Sequence, residues 1–270
     1  MGIKKSYVDT KEGQIHYRFC PAEKEPPIVF FHQTASSSQS YEKIMSILEG
    51  TYRMFALDTP GFGQSFFPPQ PPTTSYWVNV LFEALENMGI HEFHAFGHHT
   101  GAAIAVEMAA TRPDRVKTLM MDGPVCLTPE QRKYWLDTAI DPMVIKPDGS
   151  HLMKIWNRVV GLDPNHPPEL CHREAIDTLR AGERWHEAYI AVFSQDNYAM
   201  FEKIKCPTLL LCGDLDVLFP YFRQACNACS GAKVVVLPGG GVYAPDNCAE
   251  RIAEEIKVFI EEVEREKAIK

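Results

Sequence analysis

The stretch Phe93-His94-Ala95-Phe96-Gly97-His98-His99-Thr100-Gly101-Ala102-Ala103 constrains this chain more than any other. A largely apolar run leads into a Gly-x-x-x-Gly turn and then into an alanine-rich segment reaching Ala110. That order predicts a strand, a sharp turn and a helix in immediate succession. A glycine on each side of the turn removes a Cβ where the strand and helix backbones must close on each other. The residue between them, His99, can then take a strained backbone conformation and point up from the sheet.

The flanking segments set this turn in a repeating pattern. Residues 7–9 and 15–19 predict an opening antiparallel hairpin, the wholly apolar run at 27–31 and the segment 116–121 predict buried strands, and 53–57, 207–212 and 233–237 predict further strands. Helices are expected over 41–48, 75–88, 221–229 and 249–267. The second repeats apolar residues at Val78, Leu81, Phe82 and Leu85, and the last at Ile252, Ile256, Phe259, Ile260 and Val263. Strands alternating with helices at this spacing imply an α/β fold with a doubly wound, mostly parallel sheet. From Gly123 to about Met200 the alternation stops, and helical segments carrying Trp135, Trp156, Trp185, Tyr189 and Phe193 follow one another between Asp-Pro and Pro-Asp-Gly breakers. The expected organisation is a core of residues 1–122 and 201–270 with a helical lid inserted at 123–200.

Composition narrows the function classes. A chain of 270 residues with 45% hydrophobic content can bury a sizeable core, and a formal charge of -8 without a block of Lys or Arg argues against nucleic acid or an anionic membrane as partner. No apolar run is long enough to span a bilayer, and Met1-Gly2-Ile3-Lys4-Lys5 leads into polar strand sequence, so a soluble cytoplasmic protein is expected, as monomer or homodimer. The eight cysteines form no framework, and Cys226-x-x-Cys229 lies in a predicted helix without a second pair. No His-Glu-x-x-His or similar spacing is present, so neither a metal nor a cofactor is expected.

The Gly97 to Gly101 turn resembles the nucleophile elbow of the α/β-hydrolase family, Gly-x-nucleophile-x-Gly, in which the middle residue is Ser, Asp or Cys. His99 departs from that pattern. Three further segments carry the same resemblance over nearly all of the chain outside the lid. Phe31-His32-Gln33-Thr34 is similar to the family's oxyanion loop, which implies that the Thr34 and Thr100 amides form an oxyanion hole, with Gln33 replacing the usual glycine at the mouth of the site. Asp58-Thr59-Pro60-Gly61-Phe62-Gly63-Gln64-Ser65 is similar to a structural turn of the family. Leu211-Cys212-Gly213-Asp214-Leu215-Asp216 resembles the segment delivering the triad acid, which implies Asp216 in that role, with Asp214 as fallback and Asp122 at the position some members use instead. The glycine-rich loop that normally presents the catalytic histidine carries Val242, followed by Tyr243.

Serine and histidine of a conventional triad are thus both absent, and the two departures are complementary. A histidine on the apex is longer than serine by a ring and can reach Asp216 directly, with Val242 filling the vacated volume. The inferred constellation is a His99–Asp216 dyad. Among the other candidates for the pocket wall, His98 and His32 match structural positions of the family. His151, Trp156, Trp185, His186 and Tyr189 are expected on the lid, facing either a pocket or solvent. Three functions remain open: a hydrolase acting on an ester, thioester, lactone or carbon–carbon bond next to a carbonyl of a small apolar or aromatic molecule; a cofactor-free lyase, decarboxylase or isomerase using His99 for proton transfer; and a catalytically silent ligand-binding protein.

Overall fold

The computed structural model describes residues 2–162 and 166–269. In chain order the elements are β1 (Lys4–Asp9), β2 (Gln14–Cys20), β3 (Ile28–Phe31), α1 (Glu42–Ile47), β4 (Met54–Leu57), α2 (Thr74–Asn87), β5 (Phe93–His98), α3 (Thr100–Thr111) and β6 (Val116–Asp122). Five helices follow: α4 (Pro129–Thr138), α5 (Ser150–Leu162), α6 (Pro168–Ala181), α7 (Glu187–Ser194) and α8 (Asn197–Phe201). The chain ends with β7 (Thr208–Gly213), α9 (Phe219–Ala228), β8 (Lys233–Leu237), α10 (Ala244–Asn247) and α11 (Ala249–Ile269). The strands form one eight-stranded sheet ordered β1-β2-β4-β3-β5-β6-β7-β8, antiparallel at β1/β2 and β2/β4 and parallel elsewhere. β1 begins three residues earlier than expected, because on this edge strand Lys4 to Ser6 bury neither face and show no apolar alternation.

The central strands are apolar throughout because helices cover both faces. In β3, Val29 and Phe31 belong to one buried cluster that includes residues of α2, α3 and α9, while Ile28 and Phe30 belong to a second that includes residues of α1 and α11. Each such fully buried side chain stabilises the fold by about 1.5–3 kcal/mol of transfer free energy. α3 enters very close to the sheet. A Cβ on Gly101 would lie 1.8 Å from the Phe31 carbonyl oxygen, and one on Gly97 would lie 2.3 Å from the Gly101 carbonyl oxygen. No side chain fits at either position.

Parallel register brings four loops to one end of the sheet. Phe31 pairs with Gly97, His98 with Asp122, and Asp122 with Leu211, so the chain leaves β3, β5, β6 and β7 at neighbouring points. The loop after β4 is fastened by Asp58, whose carboxylate accepts from Ser38 N (2.7 Å), Gln64 N (2.8 Å) and His16 Nδ1 (2.8 Å). Burial alone would raise the Asp58 pKa, but His16, His32 and these amides outweigh it and lower it to about 2. Among the described residues no helix is long and apolar enough to cross a membrane, and no group of His, Cys, Asp and Glu is arranged to hold a metal ion.

Candidate active site

His99 sits at φ 47°, ψ -109°, the one non-glycine residue with positive φ among the described residues. Such backbone costs on the order of 1–3 kcal/mol and persists where its surroundings over-determine it. Here the His99 N–H donates to the Asp122 carbonyl (3.1 Å) and the His99 carbonyl accepts from Ala103 N (3.1 Å), which pins the apex between β6 and α3. The side chain is 13% exposed, and its Nε2 lies 2.8 Å from Oδ2 of the buried Asp216. The other Asp216 oxygen, Oδ1, accepts from Leu218 N (2.7 Å). Burial raises the Asp216 pKa, but the His99 contact, the nearby His98 and the Leu218 amide together hold it below the usual carboxylate range.

That ionisation decides the tautomer of His99. A carboxylate only accepts, so in the neutral ring Nε2 carries the proton and donates to Asp216, and the lone pair lies on Nδ1. Gly123, at φ +57°, fixes which edge of the ring faces where. A Cβ there would fall 2.3 Å from His99 Cδ2 and 2.5 Å from Nε2. The Cδ2–Nε2 edge therefore rests against the Gly123 backbone, and the Nδ1–Cε1 edge faces the cavity.

Beneath His99 lies a second pair of a different character. The His98 ring stacks on that of His99 with centroids 4.1 Å apart. Its Nδ1 donates to the Asp122 carbonyl (3.2 Å), and its Nε2 faces the Val242 carbonyl at 2.9 Å. Both ring nitrogens thus meet oxygens that only accept, so the imidazolium form alone satisfies both contacts. The wholly buried Asp122 carboxylate brings Oδ2 within 2.9 Å of Nδ1, off the N–H axis that points to the carbonyl, and supplies the counter-charge. Burial lowers the His98 pKa, but the Asp122 charge overrides it and raises it to about 9. A folded pKa above the unfolded value of 6.5 stabilises the protein fully below pH 6.5, and that contribution is lost as pH rises through about 9. The stability advantage of the wild type over His98→Gln in urea unfolding is expected to fall by on the order of 3 kcal/mol across this window; an advantage that does not change with pH would disprove the charge assignment. His32 is the contrast. Its Nδ1 donates to the Gln33 carbonyl (2.7 Å) and its Nε2 accepts from Thr59 N (3.0 Å), so it is neutral, and burial lowers its pKa.

A cavity of about 330 Å³ separates this end of the sheet from the helices between β6 and β7. Its floor holds His99, Thr100, Thr34 and Gln33, and its walls include Val242, Tyr243, Val217 and Leu218. Trp135, Tyr189 and Phe193 come from the helices, with the Trp135 and Phe193 rings stacked 5.7 Å apart. The Thr34 amide donates to Thr100 Oγ1 at 3.3 Å, a long contact, while the Thr100 amide is one of the helix N–H groups without an intrahelical acceptor. Glu174 also reaches the cavity, its Oε1 bound by Ser36 Oγ and Arg173. Burial raises its pKa to about 7 against the pull of Arg173.

Of the expected wall residues, Gln33, Tyr189, Val242 and Tyr243 line the cavity, and the others do not. His32, His98 and Asp122 are buried beneath it, held by the bonds described above. Trp185 is completely buried, and His186 packs edge-on against it. Trp156 is partly buried against the core, and His151 is used locally, its Nδ1 accepting from Lys146 N. Helical spacing identifies which residues share a face but not which face meets the site. Gly123, Leu218 and Arg158 were not legible as site residues. A glycine ending a strand at Asp122-Gly123 is the one sequence signal that pointed there.

The structure is similar to the enol-lactonase of Burkholderia xenovorans, with a TM-score of 0.79 at 17% identity, covering 94% of this chain and 99% of that one. In sequence the chain is 23% identical over 250 residues to a poly(3-hydroxyalkanoate) depolymerase of Ectopseudomonas oleovorans, covering 90% of this chain and 87% of that protein. It is also 23% identical to a bifunctional esterase/perhydrolase of Acinetobacter calcoaceticus, over 94% of this chain and 99% of that protein. The profile of the alpha/beta hydrolase fold family matches residues 26–245, and with the sheet order and elbow described above the chain belongs to that family.

Proposed function

We propose that the protein hydrolyses a small apolar or aromatic carbonyl compound, an ester, thioester, lactone or carbon–carbon bond next to a carbonyl, with His99 as general base oriented by Asp216. The observation that carries this is the 2.8 Å contact of His99 Nε2 with Asp216, which leaves the Nδ1 lone pair on the cavity side. Nδ1 adjoins the carbon bearing the side chain and is crowded for attack on a carbonyl, yet it is open to a proton. Water is therefore the nucleophile. His99 takes its proton, the hydroxide adds to the carbonyl, and the oxyanion is received by the Thr34 and Thr100 amides, replacing Thr100 Oγ1 as acceptor of the former. The resulting imidazolium is stabilised by Asp216 and returns its proton to the leaving group as the tetrahedral intermediate collapses. Residues 123–200 act as the lid that excludes bulk water. The names of relatives, esterase and enol-lactonase among them, support acyl chemistry. Since the apex carries no hydroxyl, the same base also suits proton abstraction beside a carbonyl, and a panel including non-hydrolysable ketones separates the two.

No acyl-enzyme on the apex residue is possible in this scheme. Turnover on an ester, thioester and lactone panel is expected to survive a serine-directed phosphonylating reagent unchanged. Stoichiometric inactivation mapped to the elbow would refute the proposal.

A further inference from the structure

Arg158, on α5, is the only Lys or Arg lining the cavity among the described residues. Every other partly buried arginine has a carboxylate within 4.0 Å: Arg18 pairs with Glu42, Arg53 with Glu25, Arg115 with Glu86, Arg132 with Asp196, Arg173 with Glu174 and Arg184 with Glu187. Arg158 has none among the described residues. A half-buried cation without a counter-charge is unfavourable, and it is tolerated where another group supplies the charge.

The guanidinium is nevertheless held in place. Its Cζ lies 4.4 Å from the ring centre of Trp185, which is itself fully buried, and its Nη2 donates to Tyr189 Oη at 3.2 Å. Tyr189 Oη in turn donates to the Thr34 carbonyl at 3.5 Å. One hydroxyl therefore separates the guanidinium from the loop that carries the Thr34 amide, while the other N–H donors of the fork meet no acceptor among the described residues. The two acids on the cavity wall are engaged elsewhere, Asp141 with Lys154 (2.7 Å) and Glu174 with Arg173 and Ser36. Neither neutralises Arg158.

We propose that Arg158 is a carboxylate-binding residue, and that the carbonyl compound proposed above carries, beside the apolar part that meets the cavity wall, a carboxylate a few bonds from the reacting carbonyl, as in a half-ester of a short dicarboxylic acid. The carboxylate takes the open side of the fork, and its carbonyl then falls toward Thr34 and His99. This assignment rests on the cavity being the substrate site, but not on His99 being the base. It is accordingly tested by binding alone, in the full chain carrying His99→Ala, with calorimetric titration of monomethyl glutarate against dimethyl glutarate. A charge-assisted bidentate contact corresponds to a preference of about 10- to 100-fold for the monoester. Arg158→Met is expected to erase that preference, and Arg158→Lys to keep a fraction of it, since an ammonium retains the charge but not the fork. In the His99→Ala chain that keeps Arg158, the preference is expected to shrink with added salt. No binding of the monoester, or a preference that persists in Arg158→Met, overturns the assignment, whereas loss of turnover in His99 variants bears only on the base.

Discussion

Replacing His99 by alanine is expected to lower kcat at least 10²-fold, the range a positioned general base contributes, while the unfolding midpoint changes little. The side chain lines the cavity, its partners are Asp216, which keeps its bond from Leu218 N, and the His98 ring rather than the apolar core, and alanine at φ 47° keeps the same backbone penalty as histidine. The His99→Ser variant tests the same idea from the other side. Serine at the apex restores the family's nucleophile position, but Val242 leaves it without a base, so His99→Ser alone is expected to remain inactive on p-nitrophenyl esters. The double variant His99→Ser, Val242→His places an imidazole on the same cavity wall, within the site that holds Asp216, and is expected to show esterase activity well above both single variants. Members of such a unit are strongly non-additive, so the comparison is between the double variant and either single one. Equal activity in His99→Ser and the double variant would mean that another residue supplies the base.

Gly123→Ala is expected to be nearly as damaging as removing His99 itself. The added methyl would occupy the space of the ring edge, 2.3 Å from Cδ2, and the backbone at φ +57° leaves it no other direction. The imidazole must swing off Asp216, losing both the orientation and the proton that define Nδ1 as the base. Left-handed backbone adds a stability cost of about 1–2 kcal/mol for any residue with a Cβ. Gly50 separates the two effects. It has φ +76°, but a methyl there would meet no atom within 4 Å, so Gly50→Ala carries the backbone cost alone. Matched denaturation curves with turnover lost only in Gly123→Ala are the expected pair of results; retained turnover in Gly123→Ala would sink the dyad geometry.

The eight strands and the longer helices of the core, with their order, were legible along the chain, whereas α10 and the bounds of α4 to α8 were not. Strands such as Ile28–Phe31 and Thr208–Gly213 are buried on both faces and so read as unbroken apolar runs, and Gly97 and Gly101 marked the elbow because no Cβ fits where α3 meets the sheet. His99 and Asp216 were named from their positions in motifs, and local patterns fall short of the rest. That 117 residues of separation close to 2.8 Å depends on parallel register between β5, β6 and β7 and on the missing side chain at Gly123. The positive charge on His98 follows from two carbonyl oxygens, at 122 and 242, that the folded chain brings to opposite ends of one ring. The residues on the helices between β6 and β7 illustrate the same limit. Trp185, Tyr189 and Arg158 all fall within the stretch 123–200, where the sequence singles out only the first two; one is wholly buried, one bridges to Thr34, and one presents to the cavity a cation with no carboxylate partner among the described residues. Spacing along a helix assigns side chains to a common face, whereas the packing of separate helices against the sheet decides what that face meets.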